Sequence, residues 1–451
     1  MQQVDVVVVG LGVGGEVLAG RLAEAGLRVV GIERELVGGE CPYWACIPSK
    51  MMIRAANLLA EASRIPGMAG TADVYADYAP VARRIRDEAT DDWDDQVAVD
   101  RFVGKGGWFV RGEARLVGPR RVRVGDEVYE ARRGVVIATG TAPAIPPIEG
   151  LAGTPYWTNR QAVSATEPPE SLLVLGGGAV GVELAQAFAR FGSRVSLIEA
   201  APRLVPSEEP ESSEVLADVL GRDGITVRTG AAVDSVRHGP RGFTVAVGDE
   251  QLAGRQLLVA AGRSADLTNL GLEAVGLDPS ARWLEVDDRL RVADGLYAIG
   301  DVTGRGAFTH VAMYQAMVAA RTILGEDGPP ASYHALPRVT FTDPEVGSVG
   351  LTEARAREVG VDVRVGVAQV PGTARGWIHK AGNDGFIKLV ADASRGVLVG
   401  ASSVGPVGGE VLSALVVAVH AQVPTALLRE MIYAYPTFHR GIEDALRSLG
   451  A

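Results

Sequence analysis

The stretch "VDVVVVGLGVGG", residues 4–15, decides how the start of this 451-residue chain folds. Apart from Asp5, its first six residues are valines, and this apolar β-branched run predicts a buried strand that ends at the glycines. The following residues, "EVLAGRLAEAG", repeat apolar side chains at helical spacing, and "LRVVGIE" has the pattern of a second strand. We therefore predict a strand–turn–helix–strand unit over residues 4–33.

The same order of elements returns at residues 171–199, "SLLVLGGGAVGVELAQAFARFGSRVSLIE". A second apolar strand again runs into a glycine turn, a helix and a further strand. Two copies of one supersecondary unit predict an α/β chain with two nucleotide-binding domains.

Both turns match the pattern G-x-G-x-x-G of dinucleotide-binding folds. The glycines are Gly10, Gly12 and Gly15 in the first copy, and Gly176, Gly178 and Gly181 in the second. One match alone is weak evidence, because a chain with 57 glycines in 451 residues contains such a triplet about once by chance. The context is specific: each turn lies between a strand and a helix, and an acid, Glu33 or Glu199, follows its first glycine by 23 residues.

These residue types suit a dinucleotide for physical reasons. The first glycine allows the tight turn, the second lets the backbone approach the pyrophosphate, and the helix N-terminus attracts the phosphate charge. The acid can bind the ribose hydroxyls. At the second site Glu199 would repel a 2′-phosphate, which favours NADH, although Arg194 and Arg203 lie near enough in sequence to leave NADPH open.

Composition excludes some classes of partner. The formal net charge is −11 and no long run of Lys or Arg occurs, which argues against nucleic acid and anionic membrane surfaces. The longest apolar tracts fall short of the roughly 20 residues of a bilayer span. We expect a cytoplasmic protein, and the charge by itself indicates no substrate.

Both cysteines of the chain lie in "GGECPYWACIPSK", residues 38–50. Three interpretations are open: a redox pair, a metal clip and a structural staple. Cys46 begins a predicted helix, whose N-terminus favours a thiolate. Zinc needs about four ligands, and neither further cysteines nor suitably spaced histidines are present. A disulfide across so short a loop would stabilise the fold by only a few kcal/mol.

Several motifs together resemble the flavoprotein disulfide reductases, the family of glutathione reductase, dihydrolipoamide dehydrogenase and mercuric reductase. They are "VVVVGLGVGG", "GGECPYWACIPSK", "VVIATG", "VLGGGAVGVELA", "VAAGR" and "GLYAIGDV", and they occur in the family's order over nearly the whole chain. The resemblance implies FAD on the first unit, NAD(P)H on the second, and a homodimer with an active site shared between subunits.

The resemblance also implies a domain organisation. An FAD-binding domain would comprise residues 1–150 and 265–330, an NAD(P)H-binding domain residues 151–264, and an interface domain residues 331–451. The expected fold is thus α/β, with two Rossmann-like domains followed by an α+β dimerisation domain. We place boundaries near the Pro- and Gly-rich segments 143–155 and 325–332.

Roles for single residues follow from the resemblance in the same way. Cys46 would face the flavin, Cys41 would attack the substrate, and Lys50 would pair with Glu183 near the flavin. The remaining expected cofactor-binding positions are Gly10, Gly12, Gly14, Gly15, Glu33, Gly39, Ala114, Thr139, Gly140, Gly176, Gly178, Gly181, Glu199, Gly262, Arg263 and Asp301. Taken singly, Lys50, Glu183 and Asp301 could equally be a solvated lysine, a surface acid and a turn former.

The C-terminal end departs from the family. Where relatives carry His-Pro-Thr-x-x-Glu, this chain reads "AYPTFHRGIE", with Tyr435 in place of the histidine and Arg440 in place of the acid. A tyrosine phenol, with a reference pKa of about 10, donates a proton but is a poor base at neutral pH. His439 lies four residues further on and would share a face with Tyr435 on a helix. Either residue could serve as the acid or base.

The segment between the cysteines departs as well. Tyr43 and Trp44 stand where relatives have small or aliphatic residues, and they would either stack on a flat substrate or fill a core. We expect an enzyme that passes electrons from NADH through FAD and Cys41–Cys46 to a small disulfide or another electrophile. The alternatives are reductive C–S cleavage, direct reduction of quinones by the flavin, and a flavin-bearing redox sensor.

Overall fold

A computed structural model describes residues 1–450 of the chain. In chain order the strands are β1 Gln2–Val9, β2 Val29–Glu33, β3 Trp108–Arg111, β4 Ala114–Gly118, β5 Arg121–Val124, β6 Glu127–Ile137, β7 Ala142–Pro143, β8 Ser171–Leu175, β9 Arg194–Ile198, β10 Thr226–Arg228, β11 Ser235–Gly239, β12 Gly242–Val247, β13 Glu250–Gly254, β14 Gln256–Val259, β15 Arg263–Ser264, β16 Arg291–Ala293, β17 Leu296–Ala298, β18 Pro337–Thr340, β19 Glu345–Gly350, β20 Val363–Gln369, β21 Phe386–Asp392 and β22 Val397–Gly405.

The helices are α1 Val13–Glu24, α2 Glu40–Tyr43, α3 Cys46–Ser63, α4 Ala79–Arg84, α5 Gln96–Gly104, α6 Asn159–Val163, α7 Ala179–Arg190, α8 Pro210–Arg222, α9 Thr309–Leu324, α10 Glu353–Glu358, α11 Ala374–His379, α12 Gly408–His420, α13 Thr425–Glu430 and α14 Gly441–Ser448. A π-helical turn, Ile85–Ala89, follows α4, and a short 3-10 helix, Phe438–Arg440, precedes α14.

The chain divides into two compact units. Unit 1 comprises Met1–Ser49, Ala82–Ala144 and Gly262–Ser332, and unit 2 comprises Lys50–Val81, Ile145–Ala261 and Tyr333–Ala451. Two of the boundaries fall inside the Pro- and Gly-rich segments named above. The division into compact units places residues 50–81 in unit 2, whereas the sequence-based prediction places them in an FAD-binding domain. The division into three domains stays a prediction.

Unit 1 is built on one large sheet, in the order β16-β17-β6-β1-β2-β3, with β4 and β5 attached beyond β6. The central strand β1 pairs in parallel with both β2 and β6. Hydrophobic clusters pack on both faces of β1, one around Val6 and Val8 and the other around Val7 and Val9. This two-sided burial explains why β1 reads as a continuous apolar run rather than as an alternating one.

Unit 2 contains a second parallel sheet, β10-β9-β8-β14, and a three-stranded antiparallel sheet, β11-β12-β13. A five-stranded antiparallel sheet, β18-β19-β22-β21-β20, follows, and its apolar core includes side chains from α12 and α14. These sheets confirm the predicted fold class: α/β with two Rossmann-like sheets and a C-terminal α+β part.

The structure corrects two details of the sequence-based prediction. The pattern of residues 51–100 predicts two helices around "RIPGMAG", but α3 is followed by α4, the π-helical turn and α5. After residue 335 the runs "RVTFTD", "GFIKLVA" and "VLVGASSVG" predict three strands, followed by two helices. The structure adds β19, β20, α10 and α11, and it ends in three helices rather than two. These elements are short and broken by glycine or charged residues, so their local pattern is weak. Among residues 1–450, no helix is both long and apolar enough to cross a membrane.

Candidate functional site

The acid at the end of β2 braces the first glycine turn. Glu33 accepts a hydrogen bond from the backbone N–H of Leu11 at 2.8 Å through one carboxylate oxygen, and from the N–H of Glu35 at 2.8 Å through the other. Burial raises the pKa of Glu33, while these two backbone N–H groups act in the opposite direction. Each carboxylate oxygen keeps a lone pair that could accept a ribose hydroxyl.

The second turn repeats this arrangement. Glu199 accepts from the N–H of Gly177 at 2.5 Å and from the N–H of Ala201 at 2.6 Å. Gly177 follows the first glycine of its turn as Leu11 follows Gly10, and Ala201 lies two residues beyond its acid as Glu35 does. The duplicated sequence unit is therefore duplicated at the level of single hydrogen bonds, a detail that the pattern alone did not indicate.

The third and the middle glycine of each turn are required for different steric reasons. A Cβ at Gly15 would lie 2.0 Å from the carbonyl oxygen of Gly10, and one at Gly181 would lie 1.9 Å from that of Gly176, so the third glycine allows the helix to approach its own turn. A Cβ at Gly12 would meet nothing nearer than 4.0 Å, and one at Gly178 would meet nothing within 4 Å. The middle glycine thus borders open space, where the pyrophosphate of a dinucleotide would lie.

The cysteine-bearing segment packs directly on the first turn. Gly38 donates its N–H to the carbonyl of Leu11 at 2.7 Å, and a Cβ at Gly39 would lie 2.8 Å from the Cα of Gly12. Cys41 lies in α2 and Cys46 is the first residue of α3; both side chains are half-buried. The close approach of two glycine backbones therefore holds the dithiol segment against the turn that would bind a dinucleotide.

Thr309 and Arg263, which also belong to unit 1, lie close to this segment. The Sγ atom of Cys46 lies 3.5 Å from the hydroxyl of Thr309, at the start of α9. Arg263 donates to the hydroxyl of Thr141 at 2.8 Å and to its carbonyl at 2.6 Å, and it lies 3.5 Å from the carboxylate of Glu40. The sequence analysis missed Thr309 and Thr141, for which the sequence contains no local signal, and Glu40, whose only signal is its place next to Cys41.

Asp301 belongs to the same polar cluster. It accepts a hydrogen bond from the Thr141 hydroxyl at 2.8 Å and lies 4.0 Å from Arg263. Burial raises the pKa of Asp301, and the hydrogen bond from Thr141 opposes this. The remaining unit 1 residues of the predicted cofactor site lie as follows: Gly14 packs against Ala312 of α9, Ala114 is buried at the start of β4, Thr139 and Gly140 follow β6, and Gly262 precedes β15.

Lys50 and Glu183 form an ion pair in unit 2. The Lys50 ammonium lies 2.8 Å from one carboxylate oxygen of Glu183, and the other oxygen accepts the backbone N–H of Phe341 at 2.8 Å. The Lys50 ammonium also lies 4.7 Å from the centre of the Phe341 ring. Phe341 was missed by the sequence analysis because its contribution is a backbone N–H, for which any residue type suffices.

The positions of Tyr435 and His439 near the C-terminus differ from those predicted. Tyr435 occupies a turn before the 3-10 helix rather than a helix shared with His439, so the predicted common helical face is wrong. Its side chain is 70% exposed, and the guanidinium of Arg440 lies 5.4 Å from the centre of its ring. A cavity of about 200 Å³ is lined by Tyr435, Arg440 and Thr373, whereas the ring of His439 lies 6.1 Å from that of Tyr433.

The donor set fits the cofactors that the fold implies. The two cradles have an open middle glycine, a helix N-terminus and a braced acid, which suit the pyrophosphate and ribose groups of FAD and a nicotinamide dinucleotide. Among residues 1–450, no three His, Cys, Asp or Glu side chains are grouped so that they could hold a metal ion.

Two dinucleotide cradles, one of them in contact with a dithiol segment, define a nucleotide-dependent oxidoreductase. The chain belongs to the pyridine nucleotide-disulphide oxidoreductase family: the family's main model matches residues 4–316, and the model of its dimerisation domain matches residues 336–446. The protein is accordingly an FAD-dependent enzyme that uses NAD(P)H, and its C-terminal part is the domain through which the family dimerises.

Three similar proteins each match 99% of this chain. A dihydrolipoyl dehydrogenase of Chlorobaculum tepidum is 34% identical over 99% of this chain and 98% of its own length. A mercuric reductase of Acidithiobacillus ferrooxidans is 32% identical over 99% of this chain and 83% of its own. The structure of a Cu(II) complex of the HOCl-induced flavoprotein disulfide reductase RclA from Escherichia coli superposes with a TM-score of 0.88, at 28% identity over 99% of both chains.

Proposed function

We propose that the protein is an NADH-dependent flavoprotein reductase that uses Cys41 and Cys46 as its redox pair and reduces a small disulfide or another electrophile. The observation that carries this proposal is the direct packing of the cysteine segment on the first glycine turn, where Gly39 approaches Gly12. A metal clip would need further ligands, and a staple would need no such approach to a cofactor cradle.

The two cysteines take different parts in this proposal. Cys46 begins an 18-residue helix, whose N-terminal N–H groups stabilise a thiolate, and its Sγ atom lies 3.5 Å from the Thr309 hydroxyl. These features support Cys46 as the thiol that faces the flavin. Cys41 would then attack the substrate. Bound FAD supplies the hydride chemistry that links NADH to the dithiol.

We further propose that NADH is preferred over NADPH. Glu199 places a carboxylate where NADPH would bring its 2′-phosphate. The two arginines that left NADPH open are engaged elsewhere: Arg203 donates to Ser213 at 3.0 Å and to the carbonyl of Pro206 at 2.6 Å, and Arg194 pairs with Glu170 at 2.9 Å. Neither arginine contacts Glu199 in these interactions, so the negative charge of the site supports NADH.

Tyr435 is our proposed proton donor to the leaving thiolate of the substrate. Disulfide reduction needs protons at the departing sulfur. Tyr435 lines the cavity next to Arg440, whereas His439 does not line it and its ring is tilted against that of Tyr433, and this favours the tyrosine over the histidine. The Lys50–Glu183 pair stays a proposed part of the flavin environment.

Anaerobic titration with NADH tests the thiol assignments. The wild-type enzyme should reach a two-electron-reduced state with a thiolate–flavin charge-transfer band, because Cys46 would donate to the flavin. Cys46→Ser should lack the band. Cys41→Ser should keep flavin reduction by NADH but lose disulfide turnover by more than about 100-fold, because the attacking nucleophile is gone. Tyr435→Phe should lower disulfide turnover without slowing flavin reduction.

The controls separate this function from its alternatives. FAD content should equal that of the wild type in all three variants, since none of these side chains is assigned to FAD binding through a hydrogen bond. A charge-transfer band that persists in Cys46→Ser would overturn the thiol assignment. Quinone reduction at the wild-type rate in Cys41→Ser would indicate direct electron transfer from the flavin to quinones. Lack of turnover with every disulfide, despite normal flavin reduction, would favour C–S cleavage or a sensor.

A further inference from the structure

The aromatic residues between the two cysteines have separate environments. Tyr43 is buried, with its hydroxyl 3.5 Å from the carbonyl of Asp94, so it is a core residue. Trp44 is half-buried and ends the helical turn of α2, where its N–H donates to the carbonyl of Glu40 at 2.8 Å. Cys41 lies in α2 and Trp44 directly follows its last residue, so the thiol and the indole belong to the same turn of the chain.

Trp44 is extended by a second indole from a distant part of the chain. The rings of Trp44 and Trp93 are stacked, with centres 5.4 Å apart and planes inclined by 21°. The indole N–H of Trp93 donates to the carbonyl of Tyr43 at 3.3 Å, which ties the second ring to the segment between the cysteines. Trp93 is also half-buried. The two rings form an aromatic pair on the segment that carries Cys41.

The backbone that carries Trp93 is strained. Asp91, Asp92 and Trp93 have φ angles of 49°, 54° and 60°, so three successive residues are left-handed, one residue after the π-helical turn. A bulky residue at positive φ is a genuine outlier, and such strain is concentrated at functional sites, as are π-helical turns.

Buried groups hold this strained turn at both ends. The Thr90 hydroxyl donates to the carbonyls of Ile85 and Arg86 at 3.1 Å, and Asp95 accepts the N–H of Val37 at 2.6 Å. A ring that only filled a core would need neither the strain nor its half-exposed position.

The charge around the aromatic pair restricts its ligands. Asp91, Asp92 and Asp94 flank Trp93, and all three are exposed. Asp95, the fourth acid of the segment, is paired with Arg111 at 2.6 Å. Three exposed carboxylates beside a stacking surface disfavour an anionic ligand and tolerate a neutral or cationic one.

We infer that Trp44 and Trp93 form a stacking platform which selects planar aromatic substrates without negative charge for attack by Cys41. This inference rests on the proposed function in one respect, the role of Cys41 as the attacking thiol. For an aromatic disulfide, the Cys41 thiolate forms a bond to one sulfur and the S–S bond of the substrate breaks, releasing the first aryl thiolate. The Cys46 thiolate then attacks the Cys41 sulfur, which releases the second aryl thiolate and leaves the enzyme disulfide.

Four disulfides that differ in ring and charge test the platform. They are 2,2′-dipyridyl disulfide (aromatic, neutral), 5,5′-dithiobis(2-nitrobenzoate) (aromatic, anionic), bis(2-hydroxyethyl) disulfide (aliphatic, neutral) and glutathione disulfide (aliphatic, anionic). Trp93→Ala and Trp44→Ala should each raise the KM of the dipyridyl compound about tenfold or more, as loss of a stacking ring does. The kcat/KM of the hydroxyethyl compound should stay within about twofold. Comparing variant with wild type for each compound cancels its intrinsic reactivity.

Matched variants separate stacking from folding and from charge. Trp93→Phe keeps a ring and should restore most of the affinity. Trp108→Ala removes another partly exposed indole of unit 1, which contacts Tyr129 edge-on at 5.5 Å, and should leave all four KM values unchanged. The double variant Asp91→Asn/Asp92→Asn should raise kcat/KM for the nitrobenzoate about fivefold and leave kcat/KM for the dipyridyl compound unaffected. Equal losses for all four disulfides in Trp93→Ala would overturn the platform.

A binding measurement keeps the inference independent of Cys41. Equilibrium dialysis of 2,2′-bipyridine, a planar neutral heteroaromatic compound without a disulfide, can be carried out with Cys41→Ser. If disulfide turnover does not depend on Cys41, the proposed function fails, while loss of bipyridine binding in Cys41→Ser/Trp93→Ala would still support the platform. Bipyridine binding that survives removal of Trp93 would overturn it.

Discussion

Glu199 combines a structural task with the proposed selection of NADH in one carboxylate. It accepts backbone N–H groups from both ends of the second cradle, as Glu33 does in the first. The pairing of these two acids offers an internal comparison at the scale of a single residue, because only Glu199 belongs to the cradle proposed for the nicotinamide dinucleotide.

We expect Glu199→Gln to reduce the preference for NADH over NADPH by about tenfold, because the substitution removes a negative charge beside the 2′-phosphate and keeps the size of the side chain. The measurement is the ratio of kcat/KM values for flavin reduction by the two nucleotides. Glu33→Gln is the control and should leave that ratio unchanged. An equal shift in both variants, or none in Glu199→Gln, would contradict the assignment of the second cradle.

At the scale of the element, the third and the middle glycine of each turn have different roles at the start of the helix. The third glycine allows the first turn of α1 or α7 to lie against a carbonyl, and the middle glycine leaves space for a ligand. A methyl group added at one position therefore acts on the fold, and one added at the other acts on binding.

Gly178→Ala should fold normally and bind FAD, while raising the KM for NADH about tenfold or more, because its Cβ meets no protein atom within 4 Å but enters the space of the pyrophosphate. Gly181→Ala should instead destabilise the domain, because its Cβ would lie 1.9 Å from a backbone oxygen. Thermal unfolding and NADH kinetics distinguish the two effects. Gly221→Ala in α8, where the space is also open, is the neutral control. Unaltered NADH kinetics in Gly178→Ala would argue against a cofactor at this turn.

At the scale of the whole molecule, a buried charge cluster joins three parts of unit 2. Lys388 of β21 is 3% exposed and lies 3.0 Å from Glu209, 2.7 Å from Glu211 and 3.0 Å from Glu353. Burial opposes its protonation, but the hydrogen bonds with these carboxylates outweigh burial and raise the pKa of Lys388. The cluster thereby ties α8 and α10 to the five-stranded sheet.

Lys388→Met should lower the free energy of unfolding by about 3–5 kcal/mol, since it leaves the buried carboxylate of Glu209 uncompensated. Hydrogen bonds from Arg357 and Lys388 lower the pKa of Glu353, so its stabilising contribution is present above pH 4.5 and is lost as the pH falls below that value. The difference between wild type and variant should therefore be full at pH 7 and shrink below about pH 4. Thermal denaturation followed by circular dichroism measures it.

An exposed ion pair provides the matched control. Arg355 and Glu358 are both more than half exposed and form an ion pair within α10, the helix that also contains Glu353. Arg355→Met should change the free energy of unfolding by less than about 0.5 kcal/mol. If Lys388→Met changed the free energy of unfolding as little as Arg355→Met does, the cluster would not contribute to stability as its burial implies.

Local sequence alone determined the two nucleotide-binding units. The apolar run of β1, the glycines after it and Glu33 at the end of β2 lie within one short stretch, and the same holds for β8, the second turn and Glu199. Period, turn chemistry and spacing are properties of neighbouring residues, so they can be read without the fold. The pairing of Lys50 with Glu183 was expected only through the family resemblance, since 133 residues separate the two.

Tertiary structure alone decided what surrounds the dithiol. Thr309 contacts Cys46, although 263 residues separate the two in sequence. Trp93 stacks on Trp44 through a left-handed turn that the sequence "TDDWDD" does not predict. A separate turn, at Tyr435 and Pro436, keeps Tyr435 out of the helix that it was expected to share with His439. Such contacts depend on the paths of distant segments and on backbone strain that the rest of the fold sustains, and neither is encoded in local periodicity.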